Sequence, residues 1–261
     1  MPTAAVNGQQ LYFEDAGGDG PVVVLSHGFL MDHSMFDAQV EALRDAYRVV
    51  TWDERGFGDT ESDGEPFSYW DSARDVLGLL EHLGVERAVL GGMSQGGFLS
   101  LRAALLAPHH VRALILLDTQ AGLEDPEVAP VYEEMLQTWA TVGPVDELAE
   151  TVANIIIADP DHNPAWIAKW QAADKARIVQ PGRCLMGRDD VTSRLSEITC
   201  PALVVHGTDD TAITMDKAEA LAAGLPGSGP VVAVAGAHAA NLTNPEPVNA
   251  AIRQFLDGLP D

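Results

Sequence analysis

The sequence predicts an α/β protein built on a mostly parallel sheet flanked by helices. Short β-branched runs alternate with helix-length amphipathic segments along most of the chain, the pattern expected of such a sheet. Each run is compact, apolar and ended by polar or Gly-rich residues. A single long stretch, Thr119 to about Ser196, breaks the alternation.

The elements follow in order. Ala4–Val6 and Leu11–Glu14 open the chain as two short strands. Val22–Ser26, Arg48–Trp52, Ala88–Leu90, Leu114–Leu117 and Leu203–His206 read as successive strands, and Val231–Val234 as the last. Between them Met35–Leu43, Trp70–Leu83, Gln95–Ala107, Met215–Leu225 and Pro245–Leu259 have helical length and spacing. Pro245 suits a first helical turn, and Asn244 is placed to cap it. Within Thr119–Ser196 the pattern is helical, with only Ile155–Ile157 ambiguous. This gives a core of residues 1–118 and 197–261 and a helical insertion, 119–196. Long insertions in compact domains tend to be functional, so a lid is expected. Trp139, Trp166, Trp170 and Met186 are its candidate substrate-lining residues.

Composition narrows the field. The chain has 261 residues, 46% hydrophobic and 21% charged, values of a folded globular protein rather than a disordered one. Fifteen Lys and Arg face 39 Asp and Glu, a formal net charge of −24. Such a surface repels nucleic acid and anionic membranes. No apolar run approaches a bilayer span, and Met1–Gln10 lacks the basic start and apolar stretch of a secretory signal. With only Cys184 and Cys200 there is no disulfide framework or Cys-rich metal spacing. The expected location is the cytoplasm.

The chemistry centres on Gly92-Met93-Ser94-Gln95-Gly96, which follows one predicted strand and precedes a helix. This is G-x-S-x-G in its strand–turn–helix context. A tight turn of this kind needs small residues two positions either side of the serine. It lifts the hydroxyl clear of the backbone at a helix N-terminus, where the dipole favours developing negative charge. A serine needs a base to become a nucleophile, and in this arrangement the order is Ser, acid, His. His109 and His110 lie a whole helix away from Ser94, His162 falls in the insertion and His206 at a strand end. His238 stands in the small-residue loop Gly236–Asn241, after the last strand, where parallel sheets place their chemistry. It is the expected base. Asp209 and Asp210 follow Leu203–His206 and supply candidate acids to orient the imidazole. Asp118 faces the same edge of the sheet and is a competitor, its other reading being a structural carboxylate that caps the insertion. An oxyanion needs donors: the amide of Gln95, and that of Phe29 in the loop His27-Gly28-Phe29-Leu30. His27 is expected to brace that loop, and Asp53-x-Arg55-Gly56-x-Gly58 to form a structural Asp–Arg turn.

Together His27-Gly28-Phe29, Asp53–Gly58, Gly92–Gly97, His206–Asp210 and the His238 loop resemble the α/β-hydrolase superfamily along nearly the whole chain. The resemblance implies an eight-stranded sheet, antiparallel only at its second strand, with a helical cap where the insertion lies. It places the acid three residues after the strand-end glycine, which is Asp210 from Gly207. Within the superfamily Gly91–Gly97, Ala237–Asn241 and Asn244-Pro245-Glu246 look most like 3-oxoadipate enol-lactonases and related lactonases and carboxylesterases, although Met93 and Gln95 depart from that group's pattern. The expectation is a Ser94–His238–Asp210 esterase or lactonase acting on a small molecule, without metal or organic cofactor. A cation of the insertion (Lys169, Arg177 or Arg183) would clasp a carboxylated lactone. The alternatives are a carbon–carbon bond hydrolase or cofactor-free perhydrolase with the same triad, and a hydrolase-fold ligand receptor. Dehalogenases and epoxide hydrolases resemble the fold but carry Asp at the nucleophile position.

Overall fold

The centre of the sheet is β5 (Ala88–Met93), in which every residue is buried. Strands covered on both faces read as unbroken apolar runs, which is why this segment stands out in the sequence. The structure, a computed structural model, describes residues 2–61 and 63–260; Met1 and Asp261, the outer bounds of the expected core, and Ser62 lie outside the described residues.

Eight strands form one sheet: β1 (Thr3–Val6), β2 (Gln9–Asp15), β3 (Val22–Ser26), β4 (Arg48–Trp52), β5, β6 (Val111–Leu117), β7 (Ala202–Gly207) and β8 (Val232–Val234). Their spatial order is β1-β2-β4-β3-β5-β6-β7-β8. β2 runs antiparallel to both β1 and β4, and all other neighbours are parallel. The sheet is therefore the one the resemblance implied. The chain reverses its direction of travel across the sheet between β3 and β5, the switch point where open α/β sheets form their crevices.

Helices α1 (Asp37–Leu43), α2 (Tyr69–His82) and α3 (Gln95–Leu106) alternate with these strands. In α2 the buried residues Tyr69, Ala73, Val76 and Leu80 recur at three- and four-residue spacing, one stripe of a helix against the sheet. Ser68 and Asp71 form a capping box at its start. Between β6 and β7 lie α4 (Ala129–Val142), α5 (Asp146–Ile156), α6 (Asn163–Ala172) and α7 (Val179–Met186), with no strand in the segment. Ile155–Ile157 is thus the end of a helix. The chain closes with α8 (Met215–Gly224), α9 (Ala240–Thr243) and α10 (Pro245–Asp257). Asn244 occupies the N-cap position of α10 but does not cap it; its amide donates instead to the Ala235 carbonyl at 2.9 Å.

The Asp53–Gly58 segment also differs from expectation. Asp53 accepts from the amides of His33 (2.7 Å) and Asp59 (2.8 Å) and from His33 Nδ1. Arg55 pairs with Asp75 of α2, not with Asp53. Glu54, between them, is fully buried, and burial pushes its carboxyl up to about 8, with the charge of Asp75 adding to the effect.

That shift predicts a pH-dependent stability. An unfolded Glu releases its proton near 4.5, whereas folded Glu54 keeps it to about 8, so the folded state binds more protons in between. Stability contributed by this group is full below about 4.5 and declines as pH rises towards 8. Glu54→Gln removes the titration. Measured by urea unfolding, the variant should gain on the parent between about pH 5 and pH 8, by at most a few kcal/mol at about 1.4 kcal/mol per pKa unit. Parallel stability–pH curves would contradict this.

Candidate functional site

Ser94 sits in the turn between β5 and α3 with φ 51 and ψ −113, a conformation costly for a residue with a Cβ. Surrounding bonds hold it there. Its amide donates to the Leu117 carbonyl at 2.9 Å, and its carbonyl accepts from Gly97 N, Phe98 N and Thr119 Oγ1. The flanking glycines are needed for space. A Cβ on Gly92 would lie 2.2 Å from the Gly96 carbonyl carbon, and one on Gly96 would lie 1.9 Å from the Ser26 oxygen. These contacts bring β3, β5 and α3 together where β3 ends.

His238 and Asp210 meet at this edge. Asp210 follows β7 and is buried, accepting through Oδ1 from the amides of Ala212 (2.8 Å) and Ile213 (3.0 Å). Its Oδ2 lies 2.7 Å from His238 Nδ1. Asp209 is exposed. With Nδ1 engaged, Nε2 is the nitrogen left for other partners. Ser94 and His238 line one cavity, of about 70 Å³, together with Phe29, Leu30, Phe98, Tyr132, Glu124 and Ile213 among others. No hydrogen bond joins Ser94 Oγ to His238 among the described residues; such bonds often tighten only when substrate binds.

The amides of Phe29 and Gln95 donate to no acceptor among the described residues, and Gln95 is the first residue of α3, where amides lack intrahelical partners. The Gln95 side chain is buried and accepts from Tyr69 Oη at 3.2 Å, so its polar end turns from the cavity. His27 braces its loop as expected: one ring nitrogen lies 2.8 Å from the Gly28 carbonyl and the other accepts from Glu54 N at 2.9 Å.

Among the described residues no hydrogen bond or ion pair joins Asp118 to His238. Its Oδ1 accepts from the Gly207 amide at 2.6 Å, tying β6 to the end of β7 rather than capping the inserted segment. Burial, and then the charge of Asp210, push its carboxyl well above the usual carboxylate range. His206 is buried beside it, its basicity lowered by that burial, with Nε2 2.8 Å from the Ile213 carbonyl. Asp118, His206 and Asp210 place one possible ligand atom each within 4.8 Å of the others and could hold a metal ion. Several of their atoms are committed to the hydrogen bonds just described; among the described residues His206 Nδ1 has no hydrogen-bond partner and lies 3.9 Å from Asp118 Oδ1.

The residues expected to line the site from the insertion are elsewhere. Trp139, Trp166 and Trp170 line a second cavity of about 480 Å³, which shares only Leu30 with the first. Met186 is not on the wall of the Ser94 cavity; its neighbour Leu185 is, with Met135 and Ile156. Nor does an expected cation reach Ser94. Lys169 binds Asp32 and Ser34 and lies over the Trp166 ring at 4.2 Å. Arg177 donates to the carbonyls of Gly58 and Thr60, and Arg183 is exposed. Pattern reading missed Glu124. A single acidic residue in a polar segment carries no local signal of facing a cavity.

A family model described as "alpha/beta hydrolase fold" matches residues 21–245. The chain belongs to the α/β-hydrolase fold family. It is 30% identical to a protein of Agrobacterium fabrum provisionally named carbamate hydrolase RutD, across 94% of this chain and 98% of that one. Among solved structures it is similar to a thermophilic esterase from Thermogutta terrifontis, at 30% identity and TM-score 0.89 over 98% of this chain and 97% of that one. It is equally similar in shape to an enol-lactonase from Burkholderia xenovorans, at 28% identity and TM-score 0.90 over 98% of this chain and 100% of the other. No helix among the described residues is long and apolar enough to cross a membrane.

The close approach at Gly96 gives a direct test. Gly96→Ala places a Cβ against backbone, which no rotamer change relieves, and should cost about 3 kcal/mol in urea unfolding. Gly229→Ala, where an added Cβ meets nothing within 4 Å, should stay within about 0.5 kcal/mol. Equal effects at the two positions would contradict the packing described.

Proposed function

We propose that the chain is a serine hydrolase cleaving carboxylic esters or lactones through an acyl-enzyme. The observation that carries this reading is the 2.7 Å contact between His238 Nδ1 and Asp210, with Ser94 on the wall of the same cavity. His238 Nε2 takes the Ser94 proton as Oγ attacks the carbonyl carbon. The negative oxygen that forms is held by the amides of Phe29 and Gln95, with the α3 N-terminus adding to its stabilisation. Asp210 keeps the imidazole oriented and stabilises its protonated form. The tetrahedral species collapses as His238 returns the proton to the leaving oxygen. Water, deprotonated by His238, then adds to the acyl carbon, and as the bond to Ser94 Oγ breaks His238 returns that proton to Oγ and the acid leaves.

The inserted helices 119–196 act in this reading as a cap. Met135, Val152, Ile156 and Leu185 supply the apolar wall facing Ser94, which excludes water and strengthens the electrostatics of the reaction. The cavity suits a short acyl group or small lactone. A second reading, carbamate hydrolysis by the same residues, is favoured by the identity with the Agrobacterium protein.

Steady-state assays with short nitrophenyl esters, simple lactones and the matching nitrophenyl carbamates test both. Ser94→Ala should abolish turnover, and Asp210→Asn should lower kcat by about 10³–10⁴-fold. Asp118→Asn keeps an acceptor for Gly207 and should cost less than about tenfold, since Asp118 is held as the neutral acid. An Asp118 variant as impaired as Asp210→Asn would move the role of the acid to Asp118. Carbamates turned over faster than esters would establish the second reading.

A further inference from the structure

We propose that the cavity lined by Ser94 selects short substrates whose far end carries a hydrogen-bond donor and turns away those ending in a carboxylate, with Glu124 as the discriminating residue. This rests on the ester-hydrolase reading and adds a substrate class to it. Among the described residues, the polar side chains on the cavity wall apart from Ser94 and His238 are Glu124 and Tyr132. The proposed mechanism uses neither.

Glu124 is paired with Arg188, and the pair has a direction. Glu124 is on the wall, whereas Arg188 is not. The guanidinium lies behind it, donating to the carbonyls of Leu185 (2.9 Å) and Gly122 (3.2 Å) and packed 4.5 Å over the Phe98 ring. The next residue, Asp125, is held by Lys217 of α8 at 3.1 Å, so the segment carrying Glu124 is fastened from two sides. A carboxylate offers about four acceptor sites. Among the described residues Arg188 is its only donor, which leaves acceptor capacity towards the cavity. A substrate hydroxyl or N–H can occupy it.

A carboxylate at the same place gains nothing and loses its hydration. It would meet the Glu124 carboxylate before the Arg188 guanidinium paired behind it, across an apolar space where screening is weak, and among the described residues no other cation stands on the wall. The −24 net charge of the chain opposes its approach at longer range. Tyr132 remains a neutral phenol, because burial and then the charges of Glu124 and Asp210 raise its pKa. The cavity, at about 70 Å³, is smaller than the roughly 150 Å³ that holds a benzene. A cavity of this size favours acyl chains of only a few heavy atoms.

The test compares ethyl esters of acyl chains of about three to six carbons ending in methyl, hydroxyl or carboxylate. At the length that reaches Glu124, kcat/KM for the hydroxyl ester should exceed that for the carboxylate ester by at least about 30-fold. Glu124→Ala bares the Arg188 guanidinium, and the carboxylate-to-hydroxyl ratio should rise at least about tenfold. Calorimetric binding of the same unhydrolysed esters to Ser94→Ala reads the selection should the Glu124 variant fail to fold. Carboxylate esters turned over or bound as well as hydroxyl esters at every length would overturn the proposal and leave the catalytic reading standing. The predicted order of binding without any turnover by the parent would sink the catalytic reading and leave the selection standing.

Discussion

The approach of α3 to the end of β3 is the constraint on which the rest of the site depends. Gly96 stands against the Ser26 carbonyl at a distance that admits no side chain, and Gly92 stands against Gly96. Ser26 and Gly92 are themselves partners in the parallel pairing of β3 with β5. The serine turn and the His27–Leu30 loop are therefore fixed to one another by backbone contact, without intervening side chains. The positive φ of Ser94 follows, since a wider turn would part α3 from the sheet. Local strain of this kind persists only where surrounding structure over-determines it. Here the bonds from Leu117, Thr119, Gly97 and Phe98 supply that determination.

The inserted helices complete the frame from the other side. Trp170 Nε1 donates to the Leu30 carbonyl at 2.6 Å, and Leu30 is itself a strained residue with φ 65. The Ala239 amide donates to the Ile156 carbonyl at the end of α5, 2.7 Å away, which steadies the residue beside His238. Two loops that meet at the Ser94 cavity are thus each tied by one buried hydrogen bond to the segment above them. Side chains of α4, α5 and α7 form the apolar wall, while the α5 backbone and the α6 indole hold the loops.

What the sequence made legible follows from what is local. The strands stood out because parallel strands buried on both faces are apolar throughout. The serine turn stood out because steric necessity puts glycine at fixed offsets, and His238 and the Asp209–Asp210 pair because they follow strands at one edge of a parallel sheet; Asp210 was singled out from Asp209 only by the resemblance to the α/β-hydrolases. The far side of the cavity was not legible. Helices α4 to α7 pack by tertiary contact, and a tryptophan at helical spacing does not declare which of two cavities it faces. Trp139, Trp166 and Trp170 went to the second. The partners of Asp53 and Arg55 were hidden for the same reason: His33 and Asp75 are near in space and distant in sequence. Asn244 had the right residue type and position for a cap, but the Ala235 carbonyl was a competing acceptor.

A chain so rich in acids must also control where negative charge resides inside it. Asp118 and Asp210 lie close enough that the charge of one raises the pKa of the other's carboxyl. Two ionised carboxylates there would repel each other in a medium that screens poorly. Burial, and then the charge of Asp210, hold the Asp118 carboxyl well above the usual carboxylate range; Asp118 has one amide donor, while Asp210 has two amides and the His238 ring beside it. In the proposed reaction this asymmetry leaves one negative charge beside the imidazole, and it is the charge aimed at Nδ1. Removing the proton from Asp118 would strengthen the local field, but it would also leave a second charge with almost nothing to solvate it. The neutral form of Asp118 is thus the condition under which Asp210 can face His238 as an unopposed carboxylate.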